Sequence, residues 1–203
     1  MNKKIMNYVT LLKIADAISS SRDTEEVLLL TTESVARAME VKGASLFLID
    51  RKTHELELAA SFGLSKEYLN KGPISALQSI ASSLDSGPVA IYDVTDDPRI
   101  QYPEAAKKEG IASILSVPVR VRGNVIGVLR IYTVEHWDFT LEDVNFVQAV
   151  AQIAGMSIEM SRFYKGLKDS IEVLKTRRGP KEIKSKKRTP YEGVPASVSP
   201  DVP

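Results

Sequence analysis

The stretch SILSVPVRVRGNVIGVLRIYT, residues Ser113–Thr133, decides the fold of this chain. Two runs rich in Val, Ile and Leu flank the tripeptide Arg122-Gly123-Asn124. β-Branched residues fit the pleated surface of a strand, and Gly-Asn tolerates the positive φ angles of a tight turn. The stretch therefore predicts a hairpin of two long strands, and the rest of the chain is expected to supply flanking strands and helical cover.

A two-residue loop at Gly123-Asn124 sets the register that we expect for this hairpin. Val117 then lies opposite Arg130 and Leu115 opposite Tyr132, so that these four residues share one face of the sheet. Because side chains alternate between faces, a shift of one residue in the loop would exchange the faces. The other face is expected to hold Ile114, Ser116, Pro118, Arg120, Val125, Gly127, Leu129 and Ile131.

Two helices are predicted before the first strand. Residues 3–20 carry two neighbouring apolar stripes at helical spacing, and Asp23 with Glu26 resembles a capping box that begins a second helix, ending near Glu40. The stripes of the first helix either form one wide core face or divide between the domain and a partner helix. One stripe is Ile5, Tyr8, Leu12 and Ala15, and the other is Leu11, Ile14 and Ile18.

Three further strands and two short helices are predicted between these helices and the hairpin. The strands are expected over Ala44–Asp50, Glu55–Ser61 and Val89–Tyr92. One short helix is expected to begin at Ser75, and the other to begin at Pro103 and to end at Gly110.

The last helix is predicted to begin after Thr140, which resembles a capping pair with Asp143. An apolar stripe then alternates steps of four and three residues, which is the pattern of a coiled-coil seam. We therefore expect a dimer seam, and the alternative is a helix that ends near Tyr164 and buries its apolar residues in its own domain. The seam residues are Phe146, Val150, Ile153, Ser157, Met160, Tyr164, Leu167, Ile171 and Leu174.

The composition limits the class of protein. The chain has 203 residues, 43% of them apolar, and a net charge of +1, which suits one domain with appendages. The absence of cysteine excludes disulfides, thiolate metal sites and cysteine nucleophiles. No apolar run is long enough for a signal peptide or a membrane span, so we expect a cytoplasmic protein.

Positive charge is concentrated at the C-terminal end. Eight Lys and Arg against three acidic residues give residues 175–203 a net charge of +5, which leaves −4 on the rest of the chain. Because a polar segment of like charge cannot bury enough apolar surface to fold alone, we expect a disordered basic tail. Contact with nucleic acid is expected only through this tail, and its single aromatic residue, Tyr191, gives little support for base stacking.

These features together resemble the GAF family of sensory domains over about residues 10–165. The resemblance lies in the two leading helices, the strand ASLFLID at 44–50, the exit Phe62-Gly63-Leu64 and the loop Asp93–Arg99; its strongest part is the hairpin followed by FTLEDVNFV at 139–147. It implies an α+β fold with an antiparallel sheet of five or six strands. Terminal helices are then expected on one face, with short helices and loops over a ligand cavity on the other.

The resemblance also implies a division into four segments. These are an N-terminal helix over 1–22 as a candidate dimer element, a GAF-like sensory domain over 23–165, a helix extension over 166–174 and the basic tail over 175–203. Members of the family dimerise through their terminal helices and usually precede an output domain. None follows here, so we expect a free-standing sensor that acts on a separate protein.

Several chemistries of the family do not match these residues. Cysteine-linked bilin attachment and cysteine-dependent reduction of free methionine sulfoxide are excluded, because cysteine is absent. The cyclic-nucleotide pattern is broken where Val125 follows Asn124 and Val144 follows Asp143, since the family has Lys and Glu at those places.

Haem, metal and catalytic sites are also poorly supported. His54 and His136 could ligate haem, but both fall in predicted loops, where histidines are commonly solvated. Asp93, Asp96 and Asp97 form an acidic cluster in a turn, where such residues usually make local hydrogen bonds. The sequence has no Ser-His-Asp order and no phosphate-binding Gly-rich loop, so we expect no enzyme.

Arg130 and Tyr132 are the leading ligand-binding candidates, because they interrupt an apolar strand face on which Leu115 and Val117 are expected beside them. A buried arginine requires an anionic partner. That partner is a ligand or an internal acid such as Asp96 or Glu57, unless Arg130 is exposed. Further candidates on the loop and helix that are expected to cover the cavity are Tyr92, Arg99 and Tyr102.

The sequence thus predicts a homodimeric sensor of an unidentified small molecule, with a separate output partner. The alternative is a GAF-like dimeric scaffold whose cavity has collapsed and which binds no ligand. A large cavity with inward polar groups would favour the sensor, and a cavity filled by its own side chains would favour the scaffold.

Overall fold

A computed structural model describes residues 8–50, 53, 55–72 and 87–177. The helices are α1 (Tyr8–Ser20), α2 (Thr24–Met39), α3 (Lys66–Leu69), α4 (Pro103–Glu109) and α5 (Leu141–Arg177). The strands are β1 (Gly43–Ile49), β2 (Leu56–Phe62), β3 (Val89–Ile91), β4 (Ser113–Val121) and β5 (Asn124–Thr133). The predicted helix from Ser75, His54 and the predicted tail after Arg177 lie outside the described residues. The chain divides into two units, Met1–Leu167 and Lys168–Pro203.

Five strands form one antiparallel sheet in the order β2-β1-β5-β4-β3. The predicted α+β class with an antiparallel sheet is confirmed. The central strand is β5, which pairs with β1 on one side and with β4 on the other. Both strands of the predicted hairpin are therefore inside the sheet, and β2 and β3 form its edges.

The hairpin forms where it was predicted, but its turn lies one residue earlier. Arg122 and Gly123 have φ angles of 50° and 84°, and Val121 pairs with Asn124. Two consecutive positive φ angles are the signature of the tight turn that matches the twist of paired strands. A register shift between Val119 and Arg120 then displaces the rest of the ladder.

The predicted faces of the hairpin are consequently wrong. Leu115 pairs with Ile131 and Val117 pairs with Leu129. Arg130 instead pairs with Ser116, and Tyr132 with Ile114. Because a shift of one residue moves side chains to the opposite face, Leu115 and Val117 do not share a face with the two predicted ligand-binding residues.

Helices α1, α2 and α5 contribute to one large core with the sheet. From the hairpin this core takes Leu115, Val117, Val119, Leu129 and Ile131. Ile14 and Ile18 of α1 are buried in it, whereas Tyr8 and Leu12 are exposed. Tyr8 and Leu12 of the first predicted stripe therefore do not share the core face of Ile14 and Ile18, and Ile5 lies outside the described residues.

The start of α5 is a capping box, as predicted. The backbone N–H and the Oγ1 hydroxyl of Thr140 both donate to Asp143 Oδ2 over 2.8 Å, and the Asp143 N–H donates to Thr140 Oγ1 over 3.2 Å. The Trp137 Nε1–H is a third donor to the same carboxylate, at 3.3 Å. Such reciprocal bonds satisfy backbone N–H groups that a helix start leaves open.

The predicted seam divides into a buried part and an exposed part. Phe146 and Val150 are buried in the core, so the seam prediction is wrong for these two residues, whereas Ile153 is only partly buried and packs against the same core. The alternative of a helix that ends near Tyr164 is excluded, because α5 has 37 residues and continues to Arg177. No described helix, α5 included, is both long and apolar enough to cross a membrane. The later seam residues are about half exposed or more: Met160, Tyr164, Leu167, Ile171 and Leu174.

We expect Val150→Asp to unfold the domain. Val150 is fully buried in the core, and an unpaired buried carboxylate costs several kcal/mol, which is comparable to the total stability of a typical domain. Val173→Asp adds the same charge at an exposed position of α5 and is expected to change the free energy of unfolding by less than about 0.5 kcal/mol. Urea unfolding followed by circular dichroism measures both, and equal destabilisation would contradict the burial of Val150.

Candidate functional site

A half-open groove of about 700 Å³ lies between α3 and α4. Its walls include Tyr68 and Lys71 at one side and Tyr102, Pro103 and Ala105 at the other. A second space of about 20 Å³, the inner cavity, shares Tyr68, Lys71, Gln101 and Tyr102 with the groove and adds Ile100, Ile114 and Arg130. Since Ile114 and Arg130 face away from the large helical core, both spaces lie on the opposite side of the sheet.

Arg130 lies at the floor of the inner cavity and is only 6% exposed. Its guanidinium lies 5.7 Å from the ring centroid of Phe47 and donates a hydrogen bond to the hydroxyl of Tyr132. The Tyr132 Oη and Ser45 Oγ atoms are 2.7 Å apart. Burial raises the pKa of Tyr132, so its hydroxyl stays neutral and fixes the position of the guanidinium.

The short helix α3 holds Tyr68 and Lys71 above this floor. Ser65 Oγ accepts the Tyr68 N–H at 3.1 Å and so caps the single turn. The Tyr68 ring meets the Tyr132 ring edge to face, with 5.9 Å between centroids. The Lys71 Nζ atom donates to the Tyr68 carbonyl oxygen over 3.1 Å and lies 3.6 Å from the Tyr68 ring centroid.

Lys71 and Arg130 place two positive charges at the inner cavity. Burial, and then the charge of Arg130, lower the pKa of Lys71 from 10.5 to about 8, and Glu109 partly offsets this. Lys71 is therefore still mainly protonated at neutral pH. None of the described residues that line the inner cavity carries a carboxylate.

Acidic residues lie instead along the outer part of the groove. Glu109 accepts the Ser65 N–H at 3.0 Å and the Ser65 hydroxyl, and lies 3.4 Å from Lys42 Nζ. Glu67 forms an exposed ion pair with Lys108 at 2.6 Å. Glu104 also lines the groove, is exposed, and makes no ion pair with the described residues.

The structure brings only some of the predicted ligand-binding residues together. Tyr102 lines both spaces, Arg130 lines the inner cavity, and Tyr132 is fully buried against the floor. Tyr92 is exposed and stacks on His136, 5.1 Å between ring centroids, while Arg99 pairs with Asp97 at 2.5 Å in its own loop. Leu115 and Val117 lie in the core on the other face.

The predicted internal partners of Arg130 are not buried with it. Glu57 is exposed on the edge strand β2, and Asp96 is exposed in the loop before Arg99. The alternative that Arg130 is exposed is excluded, because only 6% of its surface is accessible.

Tyr68, Lys71 and Gln101 were not among the predicted site residues. The helix α3 has four residues, which is too short for an apolar period to indicate a helix. The available signal was Ser65 three residues before Tyr68, which is the spacing of a capping residue and its N–H partner.

The predicted histidine and aspartate candidates make local contacts. His136 Nδ1 and the Tyr92 carbonyl oxygen are 3.1 Å apart, and Asp93 accepts the Thr95 N–H at 2.8 Å. Among the described residues there is no group of three or more His, Asp or Glu placed to hold a metal ion.

The family model of the GAF domain matches residues 23–158, about two thirds of the sequence. This chain therefore belongs to the GAF domain family. The match begins at Asp23, the N-cap of α2, and ends at Ile158, the last residue that α5 contributes to the large core.

Two curated relatives are much longer than the region they share with this chain. The Nif-specific regulatory protein of Azospirillum brasilense is 23% identical over 168 residues, 77% of this chain and 26% of that protein. The methyl sulfide methyltransferase-associated sensor of Methanosarcina acetivorans is 26% identical over 167 residues, 78% of this chain and 16% of that protein. This chain thus spans about a quarter and about a sixth of their lengths.

A solved structure agrees with the fold. The GAF domain from a phosphoenolpyruvate-protein phosphotransferase of Coxiella burnetii superposes with a TM-score of 0.71 at 21% identity. The match covers 82% of this chain and 99% of that one.

We expect Lys71→Met to stabilise the ligand-free protein at pH 7, by about 2–4 °C in Tm, or roughly 1 kcal/mol after allowance for solvent screening. In the wild type the pKa of Lys71 falls to about 8 on folding, so the unfolded chain binds more protons between about pH 8 and 10.5. Wild-type stability should therefore rise through that window, and the advantage of Lys71→Met should shrink.

The measurement is thermal unfolding between pH 7 and 10 of protein refolded from denaturant, which removes bound molecules. Lys66→Met is the matched control, because Lys66 is an exposed lysine of α3 that does not line the groove. A Tm difference for Lys71→Met that stays constant across this range would contradict the expectation.

Proposed function

We propose that this chain is a small-molecule-sensing regulatory domain of signal transduction, which acts as a homodimer and reports its ligand state to a separate partner. The observation that carries the proposal is the pair of cations, Lys71 and Arg130, at the inner end of a groove of about 700 Å³. Ligand sites of this size with a few convergent polar groups are typical of small-molecule binding. The relatives' names, a regulatory protein and a sensor, support the same role.

A binding role fits these residues better than catalysis. Nucleophilic catalysis by cysteine is excluded, because the sequence has none. The inner cavity is lined by the two cations Lys71 and Arg130 and by Tyr68, whose hydroxyl burial keeps neutral, and this set is suited to hold an anion.

The sheet supplies a route from the ligand to the helices. Arg130 lies between Leu129 and Ile131 on β5, and both neighbours pack in the core that also contains α5. A ligand that draws Arg130 toward the groove would act on these neighbours through one strand. The proposed response is a shift between two packings of α5, with its size limited by the difference in ligand affinity.

The exposed part of α5 is the proposed dimer surface. Exposed apolar side chains recur there at heptad spacing, and Phe163 flanks them. Two copies of one helix would bury these side chains against each other and gain about 25 cal/mol per Å² of apolar surface removed from water. The proposed seam is Met160, Tyr164, Leu167, Ile171 and Leu174.

Native mass spectrometry of freshly purified protein tests the sensing role. We expect an additional mass that disappears on denaturation, and we expect Lys71→Met to lose it because its cation no longer contributes to the site. Lys66→Met should retain it. An adduct-free spectrum, together with no Tm change in a screen of small metabolites, would favour the alternative of a dimeric scaffold; the inner cavity of only about 20 Å³ is the observation on its side.

Leu167→Asp tests the dimer surface. We expect it to weaken self-association at least about tenfold, because it places a charge at the centre of the proposed seam. Val173→Asp adds the same charge to α5 outside the seam and should leave association unchanged. Analytical ultracentrifugation across a concentration series measures both, and truncation after Ser161 should also produce monomers. Identical sedimentation of the two variants would contradict the seam.

A further inference from the structure

The groove and the inner cavity differ in the charges that line them. Lys71 and Arg130 lie at the inner cavity, where no described residue of the lining is acidic. Along the outer part the described lining holds three glutamates and the single further cation Lys108. The acidic residues of this outer part, here called the acidic rim, are Glu67, Glu104 and Glu109.

The two spaces differ in size, so that the inner cavity can hold a small polar group of a ligand and the groove can hold the rest of the molecule. A cavity of about 20 Å³ accepts a group of roughly the size of one or two water molecules, which is enough for a carboxylate. The groove outside it has room for the rest of a small organic molecule. Its wall is formed partly by Tyr68, Tyr102, Pro103 and Ala105, which present apolar surface to that molecule.

We propose that this groove binds a small zwitterion of the amino-acid class, with its carboxylate at Lys71 and Arg130 and its ammonium group facing the acidic rim at Glu104. The inference rests on the proposed sensing function and names the chemical class of its ligand. Charge-assisted hydrogen bonds from lysine and arginine are the strongest that a carboxylate receives. The ammonium group contributes less, because Glu104 is exposed and solvent screens its charge.

Ligands with only positive or only negative charge fit the charged residues of the two spaces less well than a zwitterion. A ligand with only positive charge would meet Lys71 and Arg130 at the inner cavity. A ligand with negative charge at both ends would meet the acidic rim. Glu67 and Glu109 already contact Lys108 and Lys42, whereas Glu104 makes no ion pair with the described residues, so Glu104 is the acid assigned to the ammonium group.

The protonation of Lys71 supports a carboxylate at this place. The groups around Lys71 are Arg130 on β5, Tyr68 on α3, Glu109 on α4, and Tyr102 just before α4. Burial and Arg130 lower the pKa of Lys71 to about 8 in the absence of a ligand. A bound carboxylate would neutralise this repulsion, so its affinity should be greatest at pH values below about 8 and should decline above that value as Lys71 loses its proton.

Calorimetry with matched probes on refolded full-length protein tests the charge order. L-Leucine, L-methionine and L-phenylalanine are each compared with their N-acetyl and amide derivatives. We expect at least one free amino acid to bind. Its N-acetyl derivative should bind a few-fold more weakly, and its amide at least about tenfold more weakly, because the amide lacks the carboxylate.

Variants assign the two ends of the ligand. Lys71→Met should weaken binding of the free amino acid about tenfold and should not weaken binding of the amide, which carries no carboxylate and is repelled by Lys71 in the wild type. Glu104→Gln should weaken the free amino acid a few-fold and leave the N-acetyl derivative unaffected. The matched controls are Lys107→Met, an exposed lysine of α4, and Glu142→Gln, an exposed acid of α5; neither lines the groove, and neither should alter binding.

The results separate this inference from the proposed function. Absence of binding by all three free amino acids, or an amide that binds as tightly as the free acid, would overturn the zwitterion. Unchanged affinity in Lys71→Met would also overturn it. If native mass spectrometry still finds a different co-purified molecule, the sensing function stands and only the ligand class is wrong.

Discussion

The alternation of side chains along β5 is the constraint on which the rest of the structure depends. Leu129 and Ile131 enter the helical core, while Arg130 and Tyr132 face the groove. Since β5 pairs with a strand on each side, its backbone hydrogen bonds are satisfied within the sheet. The strand therefore cannot turn about its own axis, and the side chains of its two faces are held in place together. The same strand therefore fixes the core and the cationic floor, and a change of register would destroy both together.

That dependence explains how much of the fold was predictable from the sequence. The hairpin, the N-cap at Asp23, the capping box at Thr140, and the short helix between Pro103 and Gly110 follow from local chemistry, and each forms. At Asp23 the second half of the predicted capping box is not made, because Glu26 accepts from the Ser21 hydroxyl and the Asp23 N–H donates to Ser21 Oγ. The register did not follow, because Arg122-Gly123 and Gly123-Asn124 are both acceptable turns. The irregularity between Val119 and Arg120 also leaves no local signature, since one extra residue in a strand of apolar residues does not disturb its composition.

The long helix shows a second limit of periodicity. Phe146 and Val150 continue the same heptad pattern as Leu167, yet the first two are buried by the sheet and the third is half exposed. A heptad pattern states which residues share a helix face but does not state what covers that face. The two parts differ in what lies beside them. Ile158 is the last residue that α5 contributes to the apolar core, and beyond Ser161 the described residues of α5 are exposed.

Only some residues of the candidate site could be predicted from the sequence, because periodicity gives information only in longer helices and strands. Arg130 and Tyr132 were visible as polar interruptions of an apolar strand, whereas Lys71 lies after a single helical turn, where no period exists to place it. Its position is nevertheless the informative one, because burying a lysine beside an arginine lowers its pKa and destabilises the folded state at neutral pH. If Lys71 served only to pack against the Tyr68 ring, a second cation such as Arg130 would not be needed beside it. Under the proposed function, an anion bound at these two cations would offset that destabilisation, and this gain would allow a ligand to alter the relative stability of two arrangements of β5 and α5.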